Sequence, residues 1–130
     1  MADRDGRRAR WADGGPGDPP GSYRPEPRYQ GCIAQRNVRV PMRDGVGLCI
    51  DVYRPETDER LPALLAIAPY NKEILSPDYA ATVPPQPAWS SLWAGSVEAG
   101  DTEYLVARGY VHVLGTSRGN GQSEGGGSPA

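Results

Sequence analysis

Two kinds of hydrophobic spacing mark the middle and end of this chain. Asn37-Val38-Arg39-Val40-Pro41-Met42 alternates, with Val38, Val40 and Met42 on one side, the period of a half-buried strand. Pro41 donates no ladder hydrogen bond, which predicts a place at the sheet edge. Asp44-Gly45 is a hairpin-turn pair. The chain then returns through Leu48-Cys49-Ile50-Asp51-Val52-Tyr53, where Leu48, Ile50 and Val52 share a face. An antiparallel pair follows from this spacing. Leu61-Pro62-Ala63-Leu64-Leu65-Ala66-Ile67-Ala68 is different, because both of its sides are apolar. That pattern suits a strand covered on both faces in a parallel sheet. A buried helix is the competing reading, but Pro62 and Pro69 bracket too few residues for a good one.

Residues 70–97 carry no regular period and hold Pro77, Pro84, Pro85 and Pro87, with Trp89 and Trp93 close behind. A connection of this length is uncommon in a compact domain and is usually functional. Residues from Glu98 to Arg108 favour a short helix with Gly109 as its stop. Tyr110-Val111-His112-Val113-Leu114 reads as a further strand. Strand, crossover with helix and strand make a βαβ unit with parallel strands. The predicted class is α/β: an edge β-hairpin, then β-loop-α-β with parallel strands, in an incomplete sheet.

Composition adds a division. The 130 residues include 17 Gly and 14 Pro, and residues 1–35 hold 11 of these with few aliphatics. Such a segment buries too little apolar surface to offset its ordering entropy, so 1–35 is expected to be a disordered or loosely docked leader ahead of one domain, 36–130. Arg4, Arg7, Arg8 and Arg10 are interrupted by Asp3, Asp5 and Asp13, and the formal net charge is −2. Neither nucleic acid nor an anionic membrane is implied as a partner. No apolar stretch approaches a membrane span, and a cytoplasmic location is the expectation. Cys32 and Cys49 lack CxxC spacing and share the chain with a single histidine, so neither a zinc site nor a disulfide framework is expected.

Gly121-Gln122-Ser123-Glu124-Gly125 matches G-x-S-x-G, the nucleophile elbow. That elbow needs a buried strand directly before the serine and a helix directly after it. Here the nearest strand-like run ends well short of Ser123, and Gly126-Gly127-Ser128-Pro129-Ala130 is no helix. His112 also precedes Ser123, the reverse of the elbow fold's order. Ser123 is expected to belong to a Gly-rich loop and not to be a nucleophile.

Several short stretches carry a resemblance. They are Val40-Pro41-Met42-Arg43-Asp44-Gly45-Val46, Asp51-Val52-Tyr53-Arg54-Pro55, Pro69-Tyr70-Asn71-Lys72, Arg108-Gly109-Tyr110, and Arg118-Gly119-Asn120-Gly121-Gln122-Ser123-Glu124-Gly125. In this order they resemble the N-terminal part of the CocE/NonD hydrolase family, which is Xaa-Pro dipeptidyl-peptidase S15-like and cocaine-esterase-like. The match covers roughly residues 36–125. One departure is Thr116, where the family usually carries an acidic residue two positions before the Arg-Gly pair.

The resemblance implies an α/β-hydrolase that cleaves carboxylic ester or amide bonds of a small-molecule substrate, with no cofactor and no metal. It implies that the nucleophile lies in a separate, later G-x-S-Y-x-G segment, with the family's Asp and His later still. The chain is then expected to be an N-terminal fragment, inactive alone. It also implies that Tyr70 donates to the oxyanion. A phenol suits that role, being a neutral donor at pH 7 that stabilises developing charge more than the ground state. Trp89 and Trp93, at i, i+4 spacing, are candidate walls of a substrate pocket, with core packing as the alternative. Asn71 and Lys72 either hold the tyrosine loop or are solvated. Arg118 bonds loop carbonyls or makes a surface ion pair. A non-catalytic binding module and a functionless truncated relic are the alternatives to the enzyme reading.

Overall fold

The computed structural model describes residues 25–84 and 98–126. Four strands form one mixed sheet in the order β1-β2-β4-β3: β1 (Cys32–Pro41), β2 (Gly47–Pro55), β3 (Ala63–Ala68) and β4 (Val111–Thr116). β1 and β2 are antiparallel, as are β2 and β4, while β3 and β4 are parallel as the βαβ pattern predicts. β1 stands at the edge, where the missing N–H of Pro41 breaks no ladder. Asp44-Gly45 lies in the hairpin turn: the Gly45 N–H donates to the Met42 carbonyl at 2.9 Å, with Gly45 at φ 84°.

β1 begins at Cys32, upstream of the alternation that starts at Asn37, because a bulge interrupts its period. Gln35 lies opposite Val52 and Val38 opposite Ile50, so Arg36 and Asn37 both face the one residue Asp51. Asn37 takes φ 55°, in the left-handed region where asparagine is tolerated. The last part of the 1–35 segment docks on the fold. The Arg28 and Tyr29 N–H groups donate to the Ala107 carbonyl at 2.7 and 3.0 Å, and Arg108 Nε donates to the Pro25 carbonyl at 2.7 Å.

The described residues add three short helical pieces: a 3₁₀ turn (Lys72–Leu75), α1 (Pro77–Ala80) and α2 (Thr102–Ala107). α2 is shorter than the predicted 98–108 because Glu98 and Gly100 take φ 59° and 82°, outside helical space. Asp101 caps it by accepting from the Tyr104 N–H at 3.0 Å, and Gly109, at φ 91°, ends it as expected. Leu75 and Val106 meet Tyr53, Ala68 and Leu114 in one core cluster on one side of the sheet. Each such fully buried aliphatic contributes roughly 1.5–3 kcal/mol.

Two expectations about faces are corrected. In β2 the deeper face is Gly47, Cys49, Asp51, Tyr53 and Pro55, while Leu48, Ile50 and Val52 are only half-buried. A positive charge from Lys72 lets Asp51 lie at 0% exposure on that side. β3 is not covered on both sides: Leu65 is 64% and Ile67 50% exposed. The described helical pieces that enter the core pack on the Tyr53–Leu114 side, which leaves the other side of β3 open among the described residues.

Candidate functional site

Ala68, at the end of β3, lies beside Thr116 at the end of β4, and the chain turns there into Pro69-Tyr70-Asn71. This three-residue arch is tied down at both ends. The Ser117 N–H donates to the Ala68 carbonyl at 2.9 Å, and the Lys72 N–H donates to Thr116 Oγ1 at 2.9 Å. Asn71 Oδ1 accepts from the Glu73 N–H at 3.3 Å and so opens the 3₁₀ turn. Thr116, the departure from the acidic residue usual in the resembling family, therefore still supplies a polar partner: its hydroxyl oxygen holds the arch.

The Lys72 side chain runs from the arch into the protein and is 2% exposed. Its Nζ lies 2.9 Å from Asp51 Oδ1 and donates to Asn37 Oδ1 at 2.8 Å and to Glu73 Oε1 at 2.9 Å. Asp51 Oδ1 also accepts the Asn37 N–H at 2.8 Å, a bond that the β1 bulge makes possible. Burial works against the charge on Lys72, but its bonds to Asp51 and Glu73 outweigh that cost and hold its pKa above the ordinary lysine value. Of the two uses expected for Lys72, solvation is excluded. Asp51 Oδ2 and the Tyr53 hydroxyl, on the same face of β2, find no hydrogen-bond partner among the described residues. The Tyr53 phenol is pushed up to about 12, chiefly by burial and then by the Asp51 charge.

Tyr70 is half-buried at the top of the arch, with its ring against the core cluster. Its hydroxyl donates to Glu98 Oε2 at 2.6 Å. That bond, with lesser contributions from burial and the carboxylate charge, raises the phenol pKa. Tyr70 is thus a neutral donor whose proton already points at an anionic oxygen. Glu98 escaped the sequence reading, since only its unusual backbone angle and the fold bring it to Tyr70. Asp51 and Asn37 escaped as well, although a charge in the middle of the alternating strand β2 was a usable signal. Trp89 and Trp93 lie outside the described residues.

Ser123 is 7% exposed, and both functions of its hydroxyl are in use. Oγ donates to the Thr116 carbonyl at 2.7 Å and accepts the Cys49 N–H at 2.9 Å. It joins the 117–126 loop to β2 and β4. Glu124 continues the join: it accepts from the Gly47 N–H at 2.8 Å and pairs with Arg39. The hydrogen bonds from Arg39 and then from Gly47 lower its carboxyl pKa to about 2. Arg118 makes an ion pair with Asp44 in the hairpin turn. His112 is buried in β4, with Nδ1 3.0 Å from Thr102 Oγ1, so it faces α2 and not Ser123. Among the described residues no three His, Cys, Asp or Glu side chains converge as metal ligands, and no helix is long and apolar enough to cross a membrane.

Both the sequence and the overall fold have counterparts in known proteins. The sequence profile of the X-Pro dipeptidyl-peptidase (S15 family) matches residues 44–129. The chain belongs to this family. The S15 chain is 38% identical over 89 residues to the cocaine esterase of Rhodococcus sp. (strain MB1 Bresler), a match spanning 68% of this chain and 12% of that protein. Its fold is similar to a CocE/NonD family hydrolase from Staphylococcus aureus, with a TM-score of 0.52 and 27% identity over 72% of this chain and 17% of that one. An α-amino acid ester hydrolase gives 0.51 and 25%, over 88% and 17%. An aminopeptidase from the marine sediment archaeon Thaumarchaeota archaeon gives 0.53 and 26%, over 85% and 16%. These relatives are hydrolases. The S15 chain corresponds to less than a fifth of each of them.

Proposed function

We propose that these residues form the oxyanion-binding part of a serine hydrolase that cleaves carboxylic ester or amide bonds in small-molecule substrates. The observation that carries this reading is the Tyr70 hydroxyl at the end of β3, already donating to a carboxylate oxygen at 2.6 Å. Attack on an acyl carbon turns the carbonyl oxygen into an anion, the same kind of acceptor. A donor held there beforehand stabilises that anion more than the ground state. The phenol has one proton, so it leaves Glu98 when the substrate oxygen takes its place. The exposed side chain of Glu98 keeps that exchange cheap, because hydrogen bonds to water replace the one given up.

The nucleophile and its base come from outside these 130 residues. The one histidine of the chain is committed to Thr102, and the Ser123 hydroxyl is committed to two backbone groups. The relatives named as cocaine esterase, α-amino acid ester hydrolase and aminopeptidase support acyl esters and amides as the substrate class.

The test is a chimaera in which the matching segment of the Rhodococcus cocaine esterase is replaced by this one. Hydrolysis of p-nitrophenyl acetate is expected, and Tyr70→Phe in the chimaera should lower kcat roughly 10²–10³-fold, the loss for one oxyanion donor. A Tyr70→Phe chimaera as fast as its parent, or a folded parent chimaera without activity, refutes the reading. So does hydrolysis by the 130-residue chain alone that Ser123→Ala abolishes.

A further inference from the structure

Among the described residues the largest fully buried side chain is a lysine, and the oxyanion reading gives it no task. Lys72 stands two residues after Tyr70 in a segment that has few other ways to hold its shape. Pro69 has a fixed φ and no N–H, Tyr70 is at the summit, and Asn71 is exposed. The Tyr70 ring is steadied by the core cluster and its hydroxyl by Glu98, while the position of the backbone beneath it is set at the two feet. One foot, Ala68, belongs to the sheet. The other is Lys72, held through its backbone by Thr116 and through its side chain by Asp51, Asn37 and Glu73.

These contacts come from every direction. Asp51 is on the central strand β2, Asn37 on the β1 bulge, Thr116 at the end of β4 and Glu73 in the 3₁₀ turn. A buried ammonium is bound to the place where its partners are, because leaving them uncovers Asp51 at 0% exposure without a counter-charge. The second foot therefore cannot slide along the sheet. Cys49 Sγ, 3.5 Å from the same Asn37 oxygen and 3.4 Å from Gln122 Oε1, extends the contact set to the 117–126 loop.

We propose that Lys72 is the positioning residue for Tyr70: its buried contacts with Asp51, Asn37 and Glu73, together with the Thr116 bond, fix the height and direction of the arch that presents the phenol. This rests on the reading of Tyr70 as oxyanion donor. Lys72 touches no substrate. It acts through the backbone of the arch, and its loss lets the hydroxyl wander from the place where charge develops. A misplacement of about 1 Å is enough to lower a rate by up to about 10²-fold.

The test must separate placement from stability. Lys72→Met alone strands the Asp51 charge, so the informative variant is Lys72→Met with Asp51→Leu, which removes both charges and fills their space. Thr116→Val cuts the other tie without adding a charge. Both are made in the 130-residue chain, with tyrosine isotope-labelled at Cζ and the Tyr70 resonance assigned by its absence in Tyr70→Phe. Both are also made in the chimaera.

The double variant should keep a urea midpoint close to its parent. The Tyr53 resonance shifts with the loss of the neighbouring Asp51 charge. Among the other tyrosines only that of Tyr70 moves, to the position of a solvated phenol, as it alone should in Thr116→Val. In the chimaera kcat should fall roughly 10–100-fold with KM within about twofold. A Tyr70 resonance and kcat that both stay at parent values in a folded variant overturn the proposal. Failure of both variants to fold overturns it too, because the lysine is then a stability element only. The two readings fail separately. Active Tyr70→Phe with a displaced Tyr70 resonance in the double variant refutes the oxyanion role and leaves the positioning intact. Inactive Tyr70→Phe with an undisturbed resonance does the reverse.

Discussion

Ser123→Ala distinguishes a structural serine from a catalytic one. The substitution removes the acceptor of the Cys49 N–H and the donor to the Thr116 carbonyl, at a site only 7% exposed. A buried N–H left without a partner costs about 1–3 kcal/mol. A carbonyl has a second lone pair and is stranded at the lower end of that range. Together the loss is about 2–4 kcal/mol, large against the roughly 5–15 kcal/mol that a whole domain has in hand. Urea unfolding followed by far-UV circular dichroism measures it. With a slope of about 1.5 kcal/mol/M, the midpoint should fall by about 1.3–2.7 M with the slope unchanged. Ser117→Ala, which removes only the acceptor of an Asn120 side-chain N–H, is the control and should shift the midpoint far less. A nucleophilic serine predicts the opposite: hydrolysis lost and stability untouched. A Ser123→Ala midpoint equal to the parent's would refute the reasoning.

Two further outcomes follow from the same geometry. His112 is held neutral, its pKa lowered by burial against the smaller opposing effects of the Ala99 carbonyl and Asp101. The unfolded chain therefore takes up the proton first as pH falls, so this contribution is complete above about pH 6.5 and drains below it, at up to about 1.4 kcal/mol per pH unit. Thermal melts from pH 7.5 to 5 should reveal that slope, and His112→Gln should flatten it. Gly119 is at φ 71°, and a Cβ there would stand 2.9 Å from the Gly126 Cα. Gly119→Ala is expected to cost about 2 kcal/mol from the left-handed backbone and the contact together, read from the urea midpoint.

The hairpin, the parallel pair and the helix stop at Gly109 were legible because each has a local cause: alternation, an unbroken apolar run, a glycine at positive φ. Depth of burial in β2 was not. Alternation ranks Leu48, Ile50 and Val52 above Asp51, yet Asp51 goes deeper because a lysine from another segment neutralises it, and no local pattern announces that partner. The start of β1 was hidden for a related reason. A bulge at Arg36-Asn37 shifts the period, and its purpose appears only when the Asn37 N–H reaches Asp51. At the proposed site, Tyr70 was nominated through the Pro69-Tyr70-Asn71-Lys72 stretch, while its partner Glu98, separated from it by the long connection, gave no sign. The G-x-S-x-G match was rejected on its context, but the task of Ser123 as a tie between two strands became visible only with both backbone partners in place.

β3 ends the strand order with six residues, Ala63 to Ala68, that carry neither a charge nor a hydroxyl. At about 3.3 Å per residue this is a border roughly 20 Å long whose outward amides and carbonyls have no neighbour in the described sheet. Pro62 and Pro69 fence it at either end, so a polypeptide that joins here does so over a short, defined span. Self-association at high concentration is therefore expected to run through that strip, whose backbone hydrogen bonds and apolar side chains salt screens little, more than to follow the net charge of −2.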